Sequence, residues 1–205
     1  MPEKNIFYKT IQQETVAEFK DRGSKFLAYA FPIADVQDFK PRLAALKKEH
    51  PKAVHFCFAY RLGNDGNNFR SSDDGEPSGS AGKPILGQLD SKEVVDTAII
   101  VVRYFGGTLL GVPGLINAYK TAASLALQLT PIVQKPVMQR CTIEFDYTQM
   151  NEVQRWLKNF QAVIVQQEQQ LFCHITVEIP VSRLEEAGVI FSKINGVAFL
   201  ILKVK

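Results

Sequence analysis

The chain has 205 residues, 46% hydrophobic and 22% charged, with a formal net charge of +3. That is globular composition, enough for one large or two small domains, and the charge is too small by itself to indicate nucleic acid. No stretch reaches the roughly eighteen apolar residues of a membrane span. The first fourteen residues, MPEKNIFYKTIQQE, have no apolar signal core and are not Arg-rich, so a cytoplasmic protein without a membrane partner is expected. The three cysteines, Cys57, Cys141 and Cys173, show no CxxC spacing and sit in apolar strand patterns. They are expected to be buried free thiols, with no disulfides and no structural zinc.

In chain order, Lys25–Ile33 reads as a strand. Asp38 is placed to cap a helix that carries Phe39, Leu43 and Leu46 on one stripe, with Pro41 in its first turn. His50 ends that helix, where its partial charge suits the dipole. Val54–Leu62 alternates, with Phe56, Phe58 and Tyr60 on one face and His55, Cys57 and Ala59 on the other. GNDGNNF then has hairpin-turn chemistry. Ala98–Phe105 begins as a continuous apolar run, which predicts a strand buried on both faces. A helix follows, with Leu115, Tyr119, Ala122, Ala126 and Leu129 inward. Thr130–Pro136 contains two prolines and reads as a linker.

The remainder reads β-α-β-β-α-β. Cys141, Ile143 and Phe145 mark the first strand, and Met150, Val153, Leu157 and Phe160 mark a helix. AVIVQQ and LFCHITVEI are two further strands, on the second of which His174 is a solvated surface residue. Ser182 and Glu185 are spaced as a capping box for the last helix. Its inner face is Leu184, Gly188, Phe191 and Ile194, and Gly196 can end it. VAFLILKV closes the sheet. The expectation is two domains, residues 1–133 and 137–205, in a mixed α/β (α+β) chain whose second part is ferredoxin-like.

Two stretches carry unusual chemistry. The first is SSDDGEPSGSAGKP, Ser71–Pro84. It is not a Walker A loop, because proline follows Lys83 where a hydroxyl is needed for magnesium. Gly79 and Gly82 could still offer backbone N–H groups to an anion beside Lys83. Asp73, Asp74 and Glu76 could hold a metal with His55, or could form turns and cap the next helix. Ser78 and Ser80 have only His55 as a nearby base, and no G-x-S-x-G elbow surrounds them. The second stretch is VVRYFGGTLLGVPGL. Arg103, Tyr104 and Phe105 stand together at a strand exit, where they could stack on bases or on a partner's side chains. Gly106, Gly107 and Gly114 are expected at positive φ, and the helix start near Gly114 is a candidate anion site.

At these residues the chain resembles the IMPACT family and its bacterial YigZ-like members. The supporting pieces are Ser24–Phe26, HFCFAYRLG, SDDGEPSGSAGKPIL, RYFGG and GLINAY, collinear over roughly residues 20 to 130. The resemblance implies a first domain of the ribosomal-protein-S5 second-domain type, a two-layer sandwich. It implies a second domain similar to the last domain of elongation factor G. The family's eukaryotic members look like translation regulators. The family's usual lysine is replaced by Leu109, and a usual arginine by Asn117. These departures weaken the case for phosphate contacts there.

The functional expectation is a non-enzymatic binding or regulatory module associated with translation, with a protein or the ribosome and its RNA as partner, and with no cofactor or metal. Its surface would comprise His55, Asp73, Asp74, Glu76, Ser78, Lys83, Arg103, Tyr104, Phe105, Gly106, Gly107, Gly114 and Tyr119. The carboxylates would meet a partner's basic groups, and Tyr104 and Phe105 would anchor it. Two alternatives stand beside this one. The first is an RNA- or nucleotide-binding protein using Lys83, Arg103, Lys120 and the helix start at Gly114. The second is a metal-dependent enzyme using Asp73, Asp74, Glu76 and His55.

Overall fold

A computed structural model describes residues 6–64, 66–169 and 172–202. Contacts divide the chain into two compact units, Tyr8–Lys135 and Pro136–Lys205 together with Met1–Phe7. The first is built on an antiparallel sheet. Its strands are β2 (Thr15–Asp21), β3 (Ser24–Pro32), β4 (His55–Leu62), β5 (Asn68–Ser72) and β6 (Thr97–Tyr104). Their order is β2-β3-β6-β4-β5.

The three central strands are apolar on both faces. Phe26, Ala28, Cys57, Ala59, Ile99 and Val101 face one core, which α2 (Gly82–Lys92) and α3 (Gly111–Leu129) cover. Tyr29, Phe31, Phe58, Tyr60, Ile100 and Val102 face the other, which α1 (Val36–Glu49) covers. Phe39 of α1 meets Phe58 and Tyr60 at centroid distances of 4.7 and 5.1 Å. The helix pair and the sheet are the two expected layers, and α1 adds a third.

Three local readings need correction. Asp35, not Asp38, caps α1: its Oδ1 accepts from Gln37 N and Asp38 N at 2.6 and 3.1 Å. The Asp38 carboxylate reaches back to the Ala34 and Asp35 N–H groups, completing a capping box. Pro41 therefore lies beyond the first turn. The supposed linker is a strand, β7 (Ile132–Pro136), paired with β1 (Phe7–Ile11). Prolines do not prevent this in a two-stranded ribbon, where one edge of the backbone has no sheet partner. Finally, Gly107 has φ +86°, but Gly106 and Gly114 do not have positive φ. Gly106 is required for space: a Cβ there would sit 1.8 Å from the Gly23 carbonyl carbon.

The second unit runs β8 (Met138–Asp146), α4 (Met150–Asn159), β9 (Val163–Gln169), β10 (Phe172–Pro180), α5 (Leu184–Lys193) and β11 (Val197–Ile201). The order β11-β8-β10-β9 places the first and third strands at the centre. Ile143, Phe145, Ile175 and Val177 pack against Val153, Leu157, Phe160 and Phe191. The capping box expected at Ser182 and Glu185 does not form. Ser182 lies in a 3₁₀ turn, Val181–Arg183, that runs straight into α5. The Leu184 N–H already donates to the Val181 carbonyl, so that donor needs no side-chain cap.

Two glycine substitutions separate close approach from backbone freedom. Gly106→Ala should lower stability by about 3 kcal/mol, because backbone must move. Gly87→Ala lies inside α2 with nothing within 4 Å of its Cβ, and should raise stability by about 0.5–1 kcal/mol. Urea unfolding of the two variants measures both.

Candidate binding site

The site starts from one cross-strand row. β3 pairs with β6 through Phe26 and Arg103, and β6 pairs with β4 through Arg103 and His55. All three share the α2/α3 face with Val101, Ala28 and Cys57. The Asp73–Ala81 loop, between β5 and α2, closes over this row. Asp74 and Gly75 turn the chain with consecutive positive φ values of +44° and +91°. A side chain at Asp74 tolerates that geometry because its Oδ2 accepts the Phe56 N–H at 2.7 Å. The turn delivers Glu76 inward.

Glu76 and Arg103 are 8% and 5% exposed. Arg103 Nη1 donates to Glu76 Oε1 at 2.6 Å, and the Tyr119 hydroxyl donates to the same oxygen at 2.7 Å. Arg103 Nη2 lies 3.5 Å from Ser24 Oγ, which also accepts the Gly106 N–H at 3.2 Å. The guanidinium stands over the Phe26 and Phe105 rings, 5.5 and 5.7 Å from their centroids. Cys57 Sγ is 3.0 Å from the Asp73 carbonyl and 3.3 Å from the Tyr119 hydroxyl. Burial pushes the Cys57 thiol well above its ordinary range, with the neighbouring carboxylates adding to the effect. Burial likewise raises Tyr119, helped by Cys57 and Glu76, so it stays a neutral donor.

Asp73 is the cap of the loop. Its Oδ2 accepts from Gly79 N at 2.9 Å, and its Oδ1 accepts from Ala81 N and Gly82 N at 3.0 and 2.8 Å. Burial would raise its carboxyl pKa. The three N–H groups and Lys83 outweigh that and hold it below the ordinary value. His55 Nδ1 sits 2.8 Å from the Asp74 carbonyl. A carbonyl only accepts, so Nδ1 carries the proton. Nε2 then faces Glu76 Oε2 at 3.9 Å.

The expected residues thus divide. Asp73, Asp74, Glu76, Arg103, His55 and Tyr119 do come together, with Cys57 and Ser24 added by the fold. The carboxylates were expected to face a partner's basic groups. Glu76 and Asp73 instead serve Arg103 and the loop's own N–H groups, because the loop folds over the sheet end. Ser78 and Lys83 remain exposed, as do Phe105, Gly106 and Gly107. Tyr104 parts company with Arg103: strand alternation sends it to the α1 face, where its hydroxyl meets His50 Nδ1 at 2.8 Å. His50 is buried between Tyr104 and Tyr29, whose hydroxyl is 2.7 Å from Nε2, so it is an internal connector rather than a dipole partner. Gly114 lies within the first turn of α3, not at its start, and a Cβ there would meet Arg22 Nη2 at 2.7 Å. Among the described residues no group of three or more His, Cys, Asp or Glu side chains could hold a metal ion.

The Impact N-terminal domain matches residues 22–127, the segment that holds every one of these groups. The chain belongs to the IMPACT family. It is 33% identical to an IMPACT family member of Haemophilus influenzae over 180 residues, 87% of each chain. It is 33% identical to the family member YigZ of Escherichia coli over 167 residues, 80% of this chain and 82% of that one. A solved crystal structure of a hypothetical protein superposes on it with a TM-score of 0.81 at 27% identity, covering 98% of this chain and all of the other. The family extends over both units, and the site lies in the first.

Glu76→Gln keeps the shape of the side chain but leaves the Arg103 charge buried without its counter-ion. It should cost about 3–5 kcal/mol, and the double variant Glu76→Gln/Arg103→Met should recover most of that in urea unfolding. Asp73 gives a pH signature. Its folded pKa is lowered, so its contribution is complete above the ordinary aspartate value of about 3.9 and is lost as pH falls through the folded value. Asp73→Asn should be less stable than the parent at neutral pH, and the gap should narrow steadily in melts below about pH 4.

Proposed function

We propose that this chain is a non-enzymatic binding and regulatory module acting in translation in the cytoplasm, with a protein or the ribosome as partner. The proposal assigns the site to a first module, residues 1–133, with residues 137–205 as the second. One observation carries it: the carboxylates of the Asp73–Ala81 loop bond to the protein's own groups, and what they hold steady is a surface. Asp73 serves three backbone donors, Glu76 serves Arg103 and Tyr119, and Cys57 is a buried, neutral thiol. Gly75, Pro77, Ser78, Lys83, Phe105, Gly106 and Gly107 are left facing out. A preorganised surface binds without first losing loop entropy. The translation role is supported by membership of the IMPACT family, whose eukaryotic members the resemblance describes as translation regulators.

The same commitments weigh against the other readings. Arg103 cannot reach a phosphate without abandoning Glu76, and Leu109 and Asn117 supply no charge. A metal would have to displace the donors that hold Asp73. Sedimentation of cell extract through a sucrose gradient tests the proposal. The tagged chain is expected in the ribosomal fractions, leaving them when ribosomes are dissociated by magnesium depletion. A chain confined to the top of the gradient under all conditions would overturn the ribosome-linked form of the proposal.

A further inference from the structure

The segment Thr97–Leu129 holds only two charged side chains, Arg103 and Lys120. Arg103 is committed to Glu76. α3 turns Leu115, Ala118, Tyr119 and Ala122 inward. Beside that inward face Val112, Ile116 and Lys120 follow one another at a spacing of four, and Leu109 precedes them in the connection just before the Leu110 N-cap. Leu109 is 82% exposed, Val112 46% and Ile116 39%, and Phe105 opens the same connection at 49%. A helix on a protein surface ordinarily turns polar side chains to water; here Val112 and Ile116 on the helix and Leu109 just before it are exposed instead.

Positive charge marks both ends of this row. At its start, the α3 N-cap, Leu110, makes no side-chain cap bond, and the first turn has no acidic residue. Arg22 Nη2 donates to the Leu110 carbonyl at 3.0 Å, bringing the guanidinium to the helix start, with only a 3.6 Å contact from its Nε to Asp21. At the far end Lys120 is exposed, with no ion-pair partner among the described residues. Lys120 lies nine positions after Gly111, about 13 Å of helix rise.

We infer that this stripe is the docking surface for an amphipathic helix of a partner protein, with apolar anchors at three-and-four spacing and an acidic side chain at each end, roughly nine residues apart. The inference rests on the reading of the chain as a binding module and names the partner's chemistry. Its apolar stripe would cover Leu109, Val112 and Ile116, and its acids would answer Arg22 and Lys120. A second copy of this chain fits poorly, since the stripe offers cations to cations. A nucleic acid would find two phosphate contacts separated by aliphatic side chains.

The test places a photo-crosslinking benzoylphenylalanine at Val112 of the full chain in cells, with a control at Leu129, which periodicity places on the inward stripe but which is 61% exposed at the far end of α3. The expected product is a protein crosslink at Val112, absent at Leu129. Sequencing of the crosslinked peptide should show an apolar 3–4 repeat flanked by Asp or Glu. Leu109→Asp and Lys120→Glu should each cut the yield about tenfold or more, with an unchanged melting temperature. Crosslinks to RNA or lipid, a peptide without that pattern, or equal yield at Leu129 would each overturn the inference. So would no crosslink from a chain that still sediments with ribosomes, which leaves the module reading intact. Loss of both crosslink and sedimentation would sink the two together.

Discussion

A carboxylate and a guanidinium 2.6 Å apart inside the first unit hold the loop of one element to the exit of another. Glu76 comes from the turn after β5, and Arg103 from the last inward position of β6. Removing either from water is costly, and the pair recovers that cost only because each ion has further partners. Tyr119 adds a second donor to Glu76, and Phe26 and Phe105 flank the arginine. Such a pair adds little net stability over an apolar core. What it supplies is position: the loop cannot lift Glu76 away without leaving the Arg103 charge buried and unpaired.

The neighbouring features depend on that constraint. Asp74 holds positive φ because its carboxylate and carbonyl are fixed to Phe56 N and His55 Nδ1. Asp73 gathers the N–H groups of Gly79, Ala81 and Gly82, and so opens α2, whose formal N-cap residue, Ala81, has no side-chain acceptor. Gly82 must be glycine for a steric reason, since a Cβ would approach the Ser72 N to 2.7 Å. Gly106 meets Gly23 for the same reason on the other side of Arg103. Each local oddity is consistent with its neighbours, as a sequence that specifies one structure requires.

Much of this was legible in advance. The alternation of Val54–Leu62, the double-sided burial of β6 and the β-α-β-β-α-β series follow from period and composition, and the family resemblance drew the eye to the acidic loop and the Arg103 strand exit. The meeting of the acidic loop with Arg103 rested on that resemblance, because no spacing rule pairs residues 27 positions apart across a sheet. The direction of the carboxylates was not legible, since an acidic loop looks alike whether its oxygens face solvent or its own backbone. Tyr104 does not stay with Arg103 and Phe105, because alternation on a strand sends neighbouring side chains to opposite faces. His50 looked like a helix-end residue because its two tyrosine partners lie 21 and 54 residues away. β2 is signalled by the alternation of Thr15, Ala17 and Phe19 with Val16, Glu18 and Lys20, although the sequence reading begins its strands at β3; the β1–β7 pairing, by contrast, joins the two ends of the first unit, and no local pattern announces it.

Native-state hydrogen exchange at single-residue resolution tests whether the Asp73–Ala81 loop is locked as part of the core. The Gly79, Ala81 and Gly82 amides, and that of Phe56, should exchange only through the same large-scale opening that releases the β6 amides. Loop amides that exchange as fast as unstructured peptide, while β6 stays protected, would contradict it.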